Sequence, residues 1–129
     1  MIPRRPYRIL ISPIGEIDSG LCHQVGTHVE RLFGAQSELI PLLPDVEFAL
    51  NPERRQYHST AILAKLGDSL PADASKVIAI TQLDLFIPIL TYVYGEAQLG
   101  GSAAIISLFR LQSGFTSPGA EPSFQIRVI

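Results

Sequence analysis

His23, His28, His58 and Cys22 are the side chains of this 129-residue chain best suited to hold a metal ion. Their spacing does not serve that chemistry. On one helix His23 and His28 stand about 500° apart, so their imidazoles diverge by about 140°, whereas a shared ion needs ligands three or four residues apart. Cys22 is no better placed towards His28, and His58 stands beside Tyr57 with no other ligand near it in sequence. Serine chemistry has no footing, because no serine lies in a GxSxG elbow. The segment SPIGEIDSG, where a phosphate loop would follow a first strand, contains neither GxGxxG nor GxxxxGK[ST]. Asp84 falls near the end of an apolar run, where open α/β sheets often bind ligands. It is a ligand-site candidate, beside the alternative that it anchors a loop.

The elements that would position these groups follow from periodicity and punctuation. RILISPIG (8–15) is an apolar run closed by Pro and Gly, hence a strand. Asp18 or Ser19 can cap a helix over 20–33 that Gly34 stops. Leu21, Val25, Val29, Leu32 and Phe33 share one arc of that helix with Cys22, which predicts a buried face. QSELIPLL (36–43) reads as a second strand, pushed to an edge by Pro41. Asn51-Pro52-Glu53 looks like the start of a second helix that Gly67 ends, with Ile62, Leu63 and Leu66 as its stripe. KVIAITQLDLF (76–86) is almost continuously apolar, as a strand covered on both faces should be. TYVYGEAQLGGSAAIISLFRL (91–111) is a strand, a Gly-Gly turn and a second strand, too tightly joined to be parallel. The predicted fold is α/β: a twisted, mostly parallel five-stranded sheet with one antiparallel edge strand and helices on its faces.

Composition sets the outer limits. Hydrophobic residues make up 47% and charged residues 17%, so the chain has a core to bury and reads as one domain over 1–129. A formal net charge of -2 gives no pull towards nucleic acid or an anionic membrane surface. No stretch approaches the roughly 18 apolar residues of a membrane span, and the apolar run after Arg4, Arg5 and Arg8 is too short for a secretion signal. With a single cysteine no internal disulfide can form, which fits a cytoplasmic protein.

In 91–97 the residues alternate, Thr91, Val93, Gly95 and Ala97 against Tyr92, Tyr94, Glu96 and Gln98, as in a half-solvated edge strand. That run belongs to the most specific of three stretches, RILISPIGEI, LNPERRQYHSTAIL and ITQLDLFIPILTYVYGEAQLGGSAAIISLFRL. Together, in order and over residues 8–111, they resemble the archaemetzincins, a family of zincin-type zinc metallopeptidases. The pattern departs at Thr91, where Asn is expected, and at Gln82, where an acid is commoner. The resemblance implies a zincin-like N-terminal subdomain. In the family a helix bearing HExxHxxGxxH follows, its histidines ligating zinc and its Glu acting as general base. No HExxH occurs in this sequence, although the tail SFQIRVI resembles the approach to that helix.

The implied protein is therefore a truncated relative, catalytically incomplete, with residues 112–129 forming a loop towards the absent helix. Zinc is the family's cofactor, and this chain is expected to hold none. The family's antiparallel edge strand pairs with extended substrate, which makes Tyr92, Val93, Tyr94, Gly95, Glu96 and Ala97 the candidate substrate rim. Two other readings stand beside this one: a non-catalytic peptide- or protein-interaction module using 91–97, and an unrelated α/β domain binding a small ligand near Asp84. Without the family's helix, side chains such as Ile105 or Ile106 would be uncovered, which predicts self-association or a complementing chain over that face.

Overall fold

RILISPI folds as the interior strand β1 (Arg8–Ile14), with buried apolar side chains on both faces. The computed structural model describes residues 7–114 and 126–128. After β1 come α1 (Ser19–Phe33), β2 (Gln36–Leu39), β3 (Leu50–Asn51), β4 (Gln56–His58), α2 (Ser59–Ser69) and β5 (Lys76–Thr81). Then follow β6 (Leu85–Ile87), β7 (Leu90–Val93), β8 (Gly95–Ala97), β9 (Ala103–Ser107), α3 (Phe109–Gly114) and β10 (Ile126–Val128). The main sheet has the order β10-β8-β9-β5-β1-β2, and a small second sheet the order β3-β4-β6-β7. Strands β2, β1, β5 and β9 are parallel, and β8 runs antiparallel to β9. These five are the expected sheet.

Helices α1 and α2 cover opposite faces, as right-handed crossovers running in opposite directions along the sheet, β1 to β2 and β2 to β5, require. Leu10, Val77, Ala79, Ala103 and Ile105 pack against Ile62, Leu63 and Leu66 of α2. On the other face Ile9, Ile11 and Ile80 pack against Cys22 and Val29 of α1. Helix α1 begins and ends where its punctuation predicts. The Asp18 carboxylate accepts from the Leu21 amide at 3.0 Å, and Gly34 adopts φ 60°, a left-handed cap that glycine takes without strain.

Four expectations need correction. Asn51-Pro52-Glu53 opens a turn instead of a helix: the Asn51 side chain accepts from the Arg54 amide at 3.1 Å, and Arg55 has φ 55°, which no helix tolerates. Helix α2 starts eight residues later, at Ser59, and runs past Gly67. The apolar run 76–86 is two strands in different sheets, β5 and β6, broken after Thr81. The run 91–97 is likewise divided at Tyr94 between β7 and β8. Finally, Leu32 and Phe33 are 68% and 61% exposed and lie outside the apolar cluster that Cys22 and Val29 join under α1. Of the segment 112–129, Gln112–Gly114 close α3 and Ile126–Val128 form β10; residues 115–125 and 129 lie outside the described residues.

Candidate functional site

The strand β8 is short because its two neighbours in sequence leave it little room. A chain reversal at Gln98–Gly101 follows it, and Tyr94 before it turns the backbone from one sheet to the other. Gly95 sits so close to β9 that an added Cβ would lie 2.6 Å from the Ile105 carbonyl oxygen. The expected half-solvated alternation does not occur. Val93 and Glu96 are each 1% exposed, and Tyr94 and Gly95 are buried as well.

Glu96 explains the error. Its carboxylate turns inward onto the N-terminus of α2, where the Ser59 hydroxyl donates to Oε1 at 2.5 Å and the Thr60 hydroxyl reaches Oε2 at 2.8 Å. Helix α2 has no side-chain cap of its own, so this carboxylate from a distant strand sits at its positive end. Because successive residues of a strand face opposite ways, Gly95 and Ala97 look towards the α1 side. The one polar residue of GEA is thus a structural anchor. The backbone of β8 is not an outer edge: β9 takes one side and β10 pairs in parallel along the other.

Asp84, the other candidate, is the hub of a polar cluster beside β7. Arg110 donates to both of its oxygens, from Nε at 2.9 Å and Nη2 at 2.8 Å, and Gln56 donates to Oδ2 at 3.0 Å. Gln56 also donates to the Thr91 carbonyl at 2.8 Å, as Arg54 does to that of Leu90 at 2.8 Å. Arg110 lies 4.0 Å over the Tyr92 ring, and the Tyr92 and Tyr94 rings stand nearly perpendicular with centres 5.6 Å apart. The hydrogen bond to Asp84 raises the Arg110 guanidinium above its ordinary range; burial, and next Tyr92, push the Tyr94 phenol up. A cleft of about 530 Å³ opens beside Arg54, Asp84, Leu90 and Arg110. Asp84 thus ties Gln56 and Arg110 together at the wall of that cleft. Ser59, Thr60, Arg54, Gln56 and Arg110 were not singled out by sequence; only the acid–base complement of Asp84 and Arg110 hinted at any pairing.

The histidines remain apart. His23 and His28 are exposed on α1, Cys22 is buried beneath it, and His58 stacks on Phe86 at 5.4 Å between ring centres. Among the described residues no three His, Cys, Asp or Glu side chains converge on a point that could hold a metal. These residues do not fit a zinc centre.

A parallel sheet ordered 2-1-5-9, closed by an antiparallel strand and backed by one helix on each face, defines a metzincin-like α/β sheet. The comparisons agree. The chain is 34% identical over 108 residues to the archaemetzincin of Methanocaldococcus jannaschii, covering 84% of this chain and 58% of that protein. It is 30% identical to that of Archaeoglobus fulgidus, covering 81% of this chain and 61% of the relative. The crystal structure of the A. fulgidus archaemetzincin, complexed with malonate, superposes with a TM-score of 0.68 at 31% identity, over 87% of this chain and 65% of that one. The archaemetzincin of Methanopyrus kandleri gives the same TM-score at 25% identity, over 92% and 65%. No family model matches the sequence. The chain is a homologue of the archaemetzincins, and it spans 58% and 61% of the length of the first two relatives. Among the described residues no helix is long and apolar enough to cross a membrane.

Proposed function

We propose that this chain supplies the sheet and the peptide-binding edge of an archaemetzincin-type zinc peptidase, and that these 129 residues do not hydrolyse peptides unaided. The observation that carries the reading is β8, an antiparallel strand outside β9 in a sheet shared with archaemetzincin structures. A strand in that place, on the side that β10 takes here, can offer main-chain N–H and C=O groups to an extended peptide when that side is open, which supplies affinity with little demand on sequence. The absence of HExxH from the sequence supports the second half of the proposal. The zinc ligands and base then come from residues outside these 129, for which an apolar seat exists. On the α1 side, Ile106 is 38% exposed, and Phe33, Ile78, Leu99 and Ala104 line a groove of about 480 Å³. Ile105, expected there, faces α2 and is buried.

The test is hydrolysis of quenched fluorescent peptides with zinc present, by the chain alone and mixed with the HExxHxxGxxH-bearing segment of an archaemetzincin relative. No turnover alone and zinc-dependent turnover in the mixture are expected. Zinc-dependent turnover by the chain alone would refute the proposal. Self-association of the chain through Ile106 and Phe33, with no capture of the added segment, would remove the complementing partner from it.

A further inference from the structure

We infer that Ile126–Val128 is a built-in occupant of the peptide edge, so that an extended peptide reaches β8 only after β10 has let go. The inference rests on the proposed role of β8 and adds a control over it. The pairing is parallel, with Ile126 opposite Gly95, Arg127 opposite Glu96 and Val128 opposite Ala97. A strand has two sides for main-chain pairing, and β9 already holds the other through Gly95↔Ile106, Glu96↔Ile105 and Ala97↔Ala104. Half of the six candidate rim residues therefore face the chain's own C-terminal strand. No second free side exists for an incoming peptide at these positions.

The occupant has the character of a ligand. Ile and Val favour extended backbone, so IRV pairs readily with an edge. Being tethered, it competes at an effective concentration that is on the order of millimolar for short connections. Yet the pairing covers only three residues and is parallel, the less stable arrangement per residue, so it opens more easily than β1, β5 or β9. The apparent affinity of a peptide is then its intrinsic affinity reduced by the fraction of molecules in which the edge is open.

The experiment uses two full-length variants, Arg127→Pro and the double variant Ile126→Pro/Val128→Pro. Alternate residues of a strand point their N–H groups to opposite sides, so one variant or the other removes N–H groups aimed at β8. Amide exchange at residues 95–97 is read by NMR, and binding of a fluorescent peptide copying residues 123–129, SFQIRVI, is read by anisotropy alongside a mixed-sequence extended peptide. In at least one variant, exchange at 95–97 should accelerate and both peptides should bind about tenfold tighter than to the parent, as for an edge open about a tenth of the time. Faster exchange with unchanged peptide affinity overturns the inference and leaves β8 as a peptide site. Unchanged exchange in both variants overturns it as well, because β10 is then not on the edge. Faster exchange with no binding of either peptide by any form overturns both the inference and the peptide-edge reading.

Discussion

Replacing Glu96 tests why β8 stands where it does. Glu96→Ala removes the acceptor for the Ser59 and Thr60 hydroxyls and the negative charge at the start of α2. Hydrogen bonds to a charged group contribute about 1.5–3 kcal/mol each, and a carboxylate at a helix N-terminus up to about 2 kcal/mol when partly buried. The loss is less than their sum. The Ser59 hydroxyl lies 3.3 Å from the Phe86 carbonyl and can donate there instead, and Thr60 is only half-buried. About 3–5 kcal/mol is expected for Glu96→Ala, including the void left beside α2. Glu96→Gln keeps the volume and one acceptor and should cost about 1–2 kcal/mol. At about 2.1 cal/mol/K of unfolding entropy per residue, a chain of 129 residues loses about 4 °C of midpoint per kcal/mol. Calorimetry should thus show midpoints lower by about 11–18 °C for Ala and about 4–7 °C for Gln. An Ala variant melting within about 2 °C of the parent would refute the anchoring role, since that is the range of ordinary surface substitutions.

The cluster beside β7 makes a weaker claim. Asp84→Ala leaves Arg110 without its bidentate partner, but that guanidinium is 34% exposed, so about 1–2 kcal/mol by urea denaturation is expected. Gly95→Ala should cost about 2 kcal/mol or more, because the intruding Cβ meets the backbone oxygen of Ile105. Gly26→Ala should cost distinctly less in the same melts: the one close approach of its Cβ is to the Ser37 hydroxyl, 2.7 Å away, which can rotate. Burial, and next the Asp18 charge, hold the Cys22 thiol above its ordinary range, and burial and Tyr92 do the same for the Tyr94 phenol. The fold therefore favours their protonated forms. That stability is complete below the unfolded values, about 8.5 and about 10, and is lost as pH climbs through the folded ones. Urea midpoints should fall on that alkaline side, and Cys22→Ala should flatten the earlier part of the decline.

How legible the sequence was depended on whether a signal was local. Asp18 and Gly34 set the ends of α1 through contacts within a few residues, and the Val77–Ile80 run told of a strand covered from both sides. The start of α2 was misplaced because its cap is Glu96, 37 residues away from Ser59 in sequence. Asn51-Pro52 was an equally good turn signal, and the left-handed Arg55 decided the matter. The alternation of 91–97 misled for a related reason: a buried carboxylate with two hydroxyl partners looks, in sequence, like a solvated one. A proline at 93, which would block an ordinary edge, would here disrupt the pairing of Val93 with Leu85 inside the second sheet. The antiparallel pairing of 95–97 with β9 was therefore readable, while the burial of the side chains was not. The contribution of β10 was not legible, since the extended preference of three residues of IRV does not say which strand they join.

The most direct test of the central claim is an amide chemical-shift map of the full chain titrated to millimolar concentrations with an extended peptide. Shifts that begin at residues 95–97 and pass to their partners 104–106 in β9 are expected if β8 is the peptide edge. Shifts confined to the cleft around Arg54, Asp84 and Arg110, or none anywhere, would contradict it.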